Sequence, residues 1–316
     1  MLSRNAESLF WASRYMERAD TMARNLEVGY RMSMMPAKNG GYTSEWKSIL
    51  TATSTLQQFQ ESYSEISEEN VESFLVYDNS NFSSIRSCLR MARDNARQVR
   101  TAITRDTWLA FNQAYLEFKD FDDSVENRVD LPTICDWVKR QASMVRGAFI
   151  NTQLQTDGYS FFNLGYYVER ADNTARSIDI KYHVLLPTID MLGGSIDNYQ
   201  WSTLLRSLGA YRSFHWAYGG EYSPDRIADF LILNRSCPRS LCYCIEKITL
   251  HLEQLCSSYG KYTPAQTHAM RMLDELRTIS VNKIIANGLH EYLMQFVQEN
   301  NHLAERIGES FLFGER

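Results

Sequence analysis

Apolar side chains recur at steps of three and four residues along most of the chain, which is the spacing of one helix face. No stretch alternates apolar and polar positions in the way that a half-buried strand requires. We therefore predict an all-α protein. Two segments show the helical pattern most clearly, and their shared face is formed by Ala12, Met16, Ala19, Ala23, Leu26 and Tyr30 in the first and by Leu164, Val168, Ala171, Ala175, Ile178 and Tyr182 in the second.

Small side chains at the centre of both segments predict a close helix crossing near Ala19/Ala23 and Ala171/Ala175. The most loop-like interval is residues 118–133, FKDFDDSVENRVDLPT, and LGGSID at residues 192–197 reads as a turn. The same patterns predict helices over residues 2–34, 43–62, 67–77, 82–105, 107–121, 131–149, 155–186, 200–215, 223–233, 238–259, 264–278 and 280–313.

A charged decapeptide occurs twice in the chain. YMERADTMAR occupies residues 15–24 and YVERADNTAR occupies residues 167–176, an offset of 152 positions (residue 167 against residue 15). The similarity continues until the offset reaches 156 (residue 230 against residue 74), which indicates one helical unit written twice. The further matches are Gly40-Gly41 with Gly193-Gly194, Trp46 with Trp201, the N-cap positions Ser67 and Ser223, and FLVYDNSNFSSI (residues 74–85) with FLILNRSCPRSL (residues 230–241).

This duplication predicts a helical bundle of two halves that pack as one continuous body. Residues 1–150 form the first half, and residues 151–316 form the second half together with a C-terminal helical hairpin. Phe82 stands opposite Pro238 in the matched block, so the two turns could start their helices differently.

The repeated motif carries charges that border the buried face of its helix. Its spacing predicts i,i+4 ion pairs between Asp20 and Arg24 and between Asp172 and Arg176. A metal site is disfavoured because the Glu-x-x-His of di-metal bundles is replaced by Glu-x-x-Asp, with an arginine one turn later. Two interpretations stay open: an ion-pair network that sets the register of the halves, or a polar ligand site with Arg24 and Arg176 as anion clamps. The motif residues are Glu17, Arg18, Asp20, Arg24, Glu169, Arg170, Asp172 and Arg176.

Five arginines of the first half share one face of a predicted helix. Their spacing of four, three, four and three residues places them within roughly 80° of arc. The matched positions of the second half are not arginines, which is the asymmetry that specialised binding would leave. Two interpretations stay open for these positive charges. They pair with acidic residues of the same chain, such as Glu17, Glu68, Glu69 or Asp94, or they bind an acidic partner or ligand. With Asn95 beside them, Arg86, Arg90, Arg93, Arg97 and Arg100 form what we call the arginine ridge.

Composition excludes several classes of function. A net charge of -5 gives no global attraction to nucleic acid or anionic lipid, and no window predicts a signal peptide or a membrane span. We expect a cytoplasmic protein whose six cysteines are reduced thiols. No P-loop, G-x-S-x-G or H-E-x-x-H motif is present, and the six histidines lack ligand spacing, so we predict neither a metal nor a cofactor.

Three blocks resemble the Alpha-E family, named for an α-helical domain with a Glu-Arg motif. They are LSRNAESLFWASRYMERADTMAR from Leu2, MARDNARQVRTAITRDTWLAFNQAY from Met91 and YGGEYSPDRIADFLILNRSCPRSL from Tyr218. The Glu-Arg pairs are Glu17-Arg18, Glu169-Arg170 and, more weakly, Glu305-Arg306. The resemblance implies a gene neighbour or fusion partner that is a circularly permuted ATP-grasp ligase, often with a transglutaminase-like peptidase. It thereby implies a role in making, modifying or breaking amide-linked peptides in the bacterial cytoplasm.

Three hypotheses follow. The leading one is a non-catalytic helical module that binds an ATP-grasp partner, or its anionic peptide substrate, through the arginine ridge. The second is an enzyme whose polar centre, including Glu17 and Glu169, lies between the motif helices. The third is a purely architectural helical protein; the residues leave its oligomeric state open.

Overall fold

The computed structural model describes residues 1–34, 42–121, 129–184, 195–220 and 222–314, without the side chains of residues 42–44, 180–184 and 195–197. The predicted Gly40-Gly41 and Gly193-Gly194 gaps, and residues 122–128 of the loop-like interval at 118–133, lie outside these residues. The described chain is all-α. Its helices are α1 (Ser3–Ser33), α2 (Tyr42–Ala52), α3 (Leu56–Ser62), α4 (Glu68–Glu72) with a π-helical turn (Ser73–Tyr77), α5 (Ile85–Gln98), α6 (Arg105–Phe118), α7 (Leu131–Thr152), α8 (Asp157–Val184), α9 (Ser195–Ser207), α10 (Tyr211–Tyr218), α11 (Pro224–Ile232), α12 (Leu241–Tyr259), α13 (Pro264–Thr278), α14 (Val281–Ala286) and α15 (Leu289–Ser310).

Three of the long predicted helices are broken in the structure. The breaks fall at Ser54 (φ 57°), Gly209 (φ 66°) and Gly288 (φ 99°). A positive φ cannot continue a right-handed helix, and glycine adopts it without the steric cost that other residues meet. The sequence offers a breaker at the two glycines but none at Ser54, so the prediction of one helix over residues 43–62 was wrong for a reason that is not local.

The helices follow one another in a similar order in the two halves. The break between α2 and α3 matches the one between α9 and α10, and the 22-residue helices α7 and α15 each follow a helix, α6 or α13, against which they pack. The predicted C-terminal hairpin therefore takes the place in the order that α6 and α7 take in the first half, with the short α14 added. Descent of this arrangement from a duplication stays a prediction.

The two motif helices α1 and α8 form the centre of the bundle and run in the same direction. Near the start of their contact the Ser13 hydroxyl donates to the Phe162 carbonyl at 2.6 Å, and further along Ser177 donates to the Asn25 side chain at 3.4 Å. The backbones approach so closely at Gly165 that a Cβ there would lie 2.1 Å from the Phe10 carbonyl oxygen. The four central alanines, Ala19, Ala23, Ala171 and Ala175, are fully buried, as the close-approach prediction requires.

Apolar side chains from both halves form one contiguous core around α1 and α8. Helices α5 and α7 pack on α1, while α12 and α15 pack on α8. Within the described residues, no helix has a stretch both long and apolar enough to cross a membrane. The core therefore places the two charged motifs at the middle of the molecule, where any contact between them is removed from bulk water.

Candidate functional site

The two Glu-Arg motifs exchange partners between α1 and α8. Arg170 donates to Glu17 through Nε to Oε1 at 2.7 Å and through Nη2 to Oε2 at 3.1 Å. Arg18 donates to Glu169 through the same pair of nitrogens at 2.6 and 3.1 Å. Such forked guanidinium–carboxylate pairs fix the orientation of both groups. The sequence-predicted network between the halves is thus formed by glutamates that each bind the arginine of the other motif.

A second guanidinium reinforces one of these pairs. Arg14 Nε donates to Glu169 Oε2 at 2.8 Å, and the glutamate is only 2% exposed. Burial by itself raises the pKa of the Glu169 carboxyl, but the attraction of Arg18 and Arg14 outweighs it and lowers that pKa to about 2. Glu169 is therefore an ionised carboxylate throughout the neutral range, which does not suit a general acid or base working there.

The predicted i,i+4 pairs of both motifs are confirmed. Arg24 Nε lies 2.8 Å from Asp20 Oδ2, and Arg176 Nε lies 2.7 Å from Asp172 Oδ2. Each arginine also reaches the end of a neighbouring helix. Arg24 Nη1 donates to the carbonyl of Ser207, the last residue of α9, and cations are favoured at helix C-termini.

Arg176 makes the matching contacts in the other half. Its Nη1 lies 3.5 Å from the carbonyl of Ala52, the last residue of α2, and 2.7 Å from the Ser54 hydroxyl. Both arginines predicted as anion clamps therefore already bind an aspartate and a helix end. Their first role is to attach α2 and α9 to the motif helices.

Sequence reasoning missed Arg14 and Arg239. Arg239 is 7% exposed and donates through Nη2 to Asp20 Oδ2 at 2.8 Å and through Nη1 to Glu17 Oε1 at 3.4 Å. Burial raises the pKa of Asp20, but Arg24 and Arg239 lower it to about 2. The available signal was the matched block, in which Arg239 stands opposite Ser83.

The charged groups divide into two centres. The first centre consists of Glu17, Asp20, Arg24, Arg170 and Arg239, which are joined by the pairs described above. The second centre consists of Glu169, Asp172, Arg14, Arg18 and Arg176. A cavity of about 310 Å³ lies beside the second centre, and its lining includes Arg14, Arg18, Glu169, Asp172 and Arg176.

Four arginines of the ridge lie on α5, but this helix ends at Gln98, so the prediction of one helix over residues 82–105 was wrong at its end and Arg100 lies in the turn that follows. Three of the five guanidinium groups lie over aromatic rings. Arg86 lies 5.2 Å from the ring centroid of Tyr77, Arg93 lies 5.0 Å from that of Tyr115, and Arg100 lies 5.4 Å from that of Trp108. These are cation–π distances. The rings come from α6 and from the π-helical turn, so helical spacing within α5 could not reveal them.

The remaining members of the ridge differ in their surroundings. Arg93 also donates to Asn112 and contacts Asp94 at 3.3 Å, whereas the side chain of Asn95 donates to the Met91 carbonyl of its own helix. Arg90 is half-buried and Arg97 is exposed. Neither makes a hydrogen bond, ion pair or ring contact with any residue in the described ranges. Of the internal acidic partners weighed from sequence, Asp94 is the one found on the ridge in this part of the chain.

Other candidate groups lie outside the two centres. Glu305 and Arg306, the weak third Glu-Arg pair, are exposed on α15. The six cysteines are free thiols, and five of them are buried. Within the described ranges, no three side chains of His, Cys, Asp or Glu are grouped so that they could hold a metal ion.

The fold and the paired centres define an all-α protein in which two parallel central helices exchange glutamate–arginine pairs. The chain belongs to the Alpha-E family, described as a predicted α-helical domain with a conserved ER motif, and the family match covers residues 1–312. No curated protein and no solved structure matches the chain.

The lowered pKa values of Glu169 and Asp20 predict a loss of stability in acid. A carboxyl whose pKa is lower in the folded state stabilises the fold above its unfolded pKa, and this contribution is lost as the pH falls through the folded value. The window runs from the ordinary values of 4.5 and 3.8 down to about 2. We expect the denaturant midpoint to fall steeply between about pH 4 and pH 2.

The Glu169→Gln variant provides the control for this acid transition. Because glutamine does not titrate, the denaturant midpoint of the variant should fall less steeply over the same pH range than that of the native protein. Parallel pH profiles for the two proteins would contradict the assignment of this acid sensitivity to Glu169.

Proposed function

We propose that this protein is a non-catalytic helical module that works with an ATP-grasp amide ligase in cytoplasmic peptide synthesis or modification in bacteria. It binds the ligase, or the anionic peptide substrate of the ligase, through the arginine ridge. The observation that carries the proposal is on α5 and the turn after it: Arg90 and Arg97 have no partner among the described residues, while three neighbouring guanidinium groups are held over rings.

The held arginines make the ridge a prepared surface. A guanidinium stacked on an aromatic ring keeps its charge and its outward donors while it loses less rotational freedom on binding. Arg86 and Arg93 on α5 and Arg100 in the turn after it flank Arg90 and Arg97 along the chain, so the two unpartnered charges lie between fixed charges. An acidic surface or a carboxylate-rich peptide is the chemistry that complements such a row.

The motif centres support binding over catalysis. Glu17 and Glu169, the candidates for an enzymatic centre, are 3% and 2% exposed and each accepts a forked arginine pair. Groups held in this way are suited to fixing the geometry of α1 and α8. The surface arginines are thus better placed than the buried glutamates to meet a macromolecular partner.

Charge reversal on the ridge tests the proposal. We expect Arg90→Glu/Arg97→Glu to weaken the association with the co-encoded ATP-grasp protein at least about tenfold, because like charges across an interface repel. The affinity is measured by titration calorimetry, and ADP release by the ligase is measured with each variant present. Native-like helicity in circular dichroism establishes that the variant is folded.

The matched control is Arg140→Glu/Arg212→Glu. It makes the same change in charge at two exposed arginines on α7 and α10, and it should leave affinity and ADP release unchanged. Equal losses of affinity in both double variants would show that the effect comes from the change in net charge and not from the arginine ridge. No association of the native protein with the ligase at any salt concentration would sink the proposal.

A further inference from the structure

The turns that lead into α5 and α12 have the same internal contacts. The Cys88 thiol contacts the Phe82 carbonyl at 3.8 Å, and the Cys244 thiol contacts the Pro238 carbonyl at 3.9 Å. In both turns a serine then caps the helix by accepting from the backbone N–H three residues later. The exchange of phenylalanine for proline therefore does not alter the start of the helix, and the residue before each cap occupies a matched place.

The two residues at this place have very different side chains. In the second half it is Arg239, whose guanidinium binds Glu17 and Asp20 of the first centre. In the first half it is Ser83, which lines the cavity of about 310 Å³ beside the second centre. The cavity thus lies where the other half of the molecule places a large cationic side chain.

The aspartates of the two centres differ accordingly. Asp20 accepts from both Arg24 and Arg239, whereas Asp172 is paired with Arg176 alone among the described residues and lines the cavity. The place of the second cation on Asp172 is therefore open to a ligand. An ammonium group suits this place, because it is a compact cation with three donors.

Two arginines, Arg14 and Arg18, also line the cavity. Arg14 and Arg18 bind Glu169 through Nε, and in Arg18 also through Nη2, which leaves further N–H donors of both guanidinium groups without a partner in the described chain. A carboxylate on the ligand suits these donors.

Two buried polar atoms of the cavity lining have no partner among the residues that the structure describes. Thr21 is 4% exposed and Asn173 is 9% exposed, and neither the threonine hydroxyl nor the asparagine amide nitrogen is hydrogen-bonded within those residues. A buried polar group without a partner is unfavourable, so such groups are normally satisfied. Their presence in the lining of one cavity indicates that a polar molecule completes the site.

The edge of the cavity also contains a strained residue. Ser54 adopts φ 57°, whereas the matched break in the second half is made by Gly209 at φ 66°. A residue other than glycine adopts this region only at a steric cost, because its Cβ approaches the backbone. The Ser54 hydroxyl accepts a hydrogen bond from Arg176 at 2.7 Å. The strained backbone at Ser54 thus positions the arginine that is paired with Asp172.

We infer that this cavity is a binding site for a small zwitterion of the α-amino acid class. The ligand carboxylate faces Arg14 and Arg18, and its ammonium group faces Asp172. This site is separate from the arginine ridge, so the inference stands whether or not the ridge binds a ligase.

The experiment is a calorimetric titration of the isolated protein, residues 1–316, with each of the twenty free amino acids. At least one amino acid should bind. Its N-acetyl derivative, which lacks the ammonium, and its amide, which lacks the carboxylate, should each bind at least about tenfold more weakly. No binding by any amino acid at millimolar concentration, or equal binding of either derivative, overturns the inference.

Two variants locate the binding in the cavity. Ser83→Arg introduces the side chain that fills the matched place and should weaken binding at least about tenfold. Asn79→Arg, at an exposed position of the same turn, adds the same charge outside the cavity and should leave binding unchanged. Equal affinities in Ser83→Arg and the native protein would place the ligand elsewhere.

A further variant guards against a misfolded Ser83→Arg protein. Thr21→Val replaces an unpartnered buried hydroxyl by a methyl group of similar size, so the fold should be kept or slightly stabilised. Binding should still weaken if the ligand uses this hydroxyl. A Thr21→Val protein that binds with native affinity overturns the assignment of Thr21 to the site.

Discussion

Replacing Glu169 by glutamine should lower the free energy of unfolding by about 3–5 kcal/mol, which is the cost of removing one member of a buried ion pair. Arg14 and Arg18 would then share a buried neutral amide, whose NH₂ group cannot accept from them. The reason is the uncompensated charge of two guanidinium groups, rather than any change in side-chain volume. Denaturant unfolding followed by circular dichroism measures the change.

The control for this variant is Glu246→Gln. Glu246 pairs with Arg235 at the surface, where solvent screens the interaction. The denaturant midpoint of Glu246→Gln should therefore stay close to that of the native protein. If Glu169→Gln and Glu246→Gln had similar midpoints, the exchanged pairs would not be the buried network described for α1 and α8.

Replacing Gly165 by alanine should lower the free energy of unfolding by about 3 kcal/mol, at the upper end of the cost of overpacking. The new Cβ would lie 2.1 Å from the Phe10 carbonyl oxygen and 2.5 Å from the Ser13 hydroxyl oxygen. The first of these atoms is backbone, so α1 and α8 must move apart. Their separation would also strain the forked pairs. Calorimetric melting of the variant tests this expectation.

Gly147→Ala is the matched control for Gly165→Ala. Gly147 also lies within a long helix, α7, but a Cβ there meets no atom within 4 Å. Because alanine is the better helix former, this change should stabilise the protein by about 0.5–1 kcal/mol. Destabilisation by both substitutions would show that the close approach of α1 and α8 is not the cause.

The exchanged pairs have a structural consequence that goes beyond their own stability. Buried ion pairs often contribute little net free energy compared with apolar packing, yet they restrict the geometry of the groups around them. In this protein Arg18 and Glu169 belong both to the contact between α1 and α8 and to the cavity wall. The same contacts that set the register of the motif helices therefore position the donors of the inferred amino acid site.

The sequence alone was sufficient for features that depend on neighbours along the chain. Helical periodicity identified α1 and α8, and the spacing of Asp20 with Arg24 and of Asp172 with Arg176 predicted ion pairs that the structure contains. The ion-pair predictions succeed because side chains four residues apart lie next to each other on the same face of a helix. Four arginines of the ridge likewise lie on one helix, but Arg100 lies beyond its end and the rings beneath the ridge come from elsewhere in the chain.

Tertiary structure decided which charges meet. The exchange of partners between Glu17 and Glu169 depends on the packing of α1 against α8, and nothing within either motif distinguishes it from pairing within one helix. Arg239 joins the first centre from more than two hundred residues away. The matched place in the first half is occupied by Ser83, which lines the cavity beside the second centre.

The breaks in the helices show the same division. Glycine at 209 and 288 is a local signal, because its backbone adopts positive φ readily. Ser54 has no such preference, and its hydrogen bond to Arg176 supports a conformation that the local sequence disfavours. The sequence by itself determined the helices and their charged faces, since these follow from spacing along one chain segment. Only the packing of distant segments decided the paired centres, the strained break and the cavity.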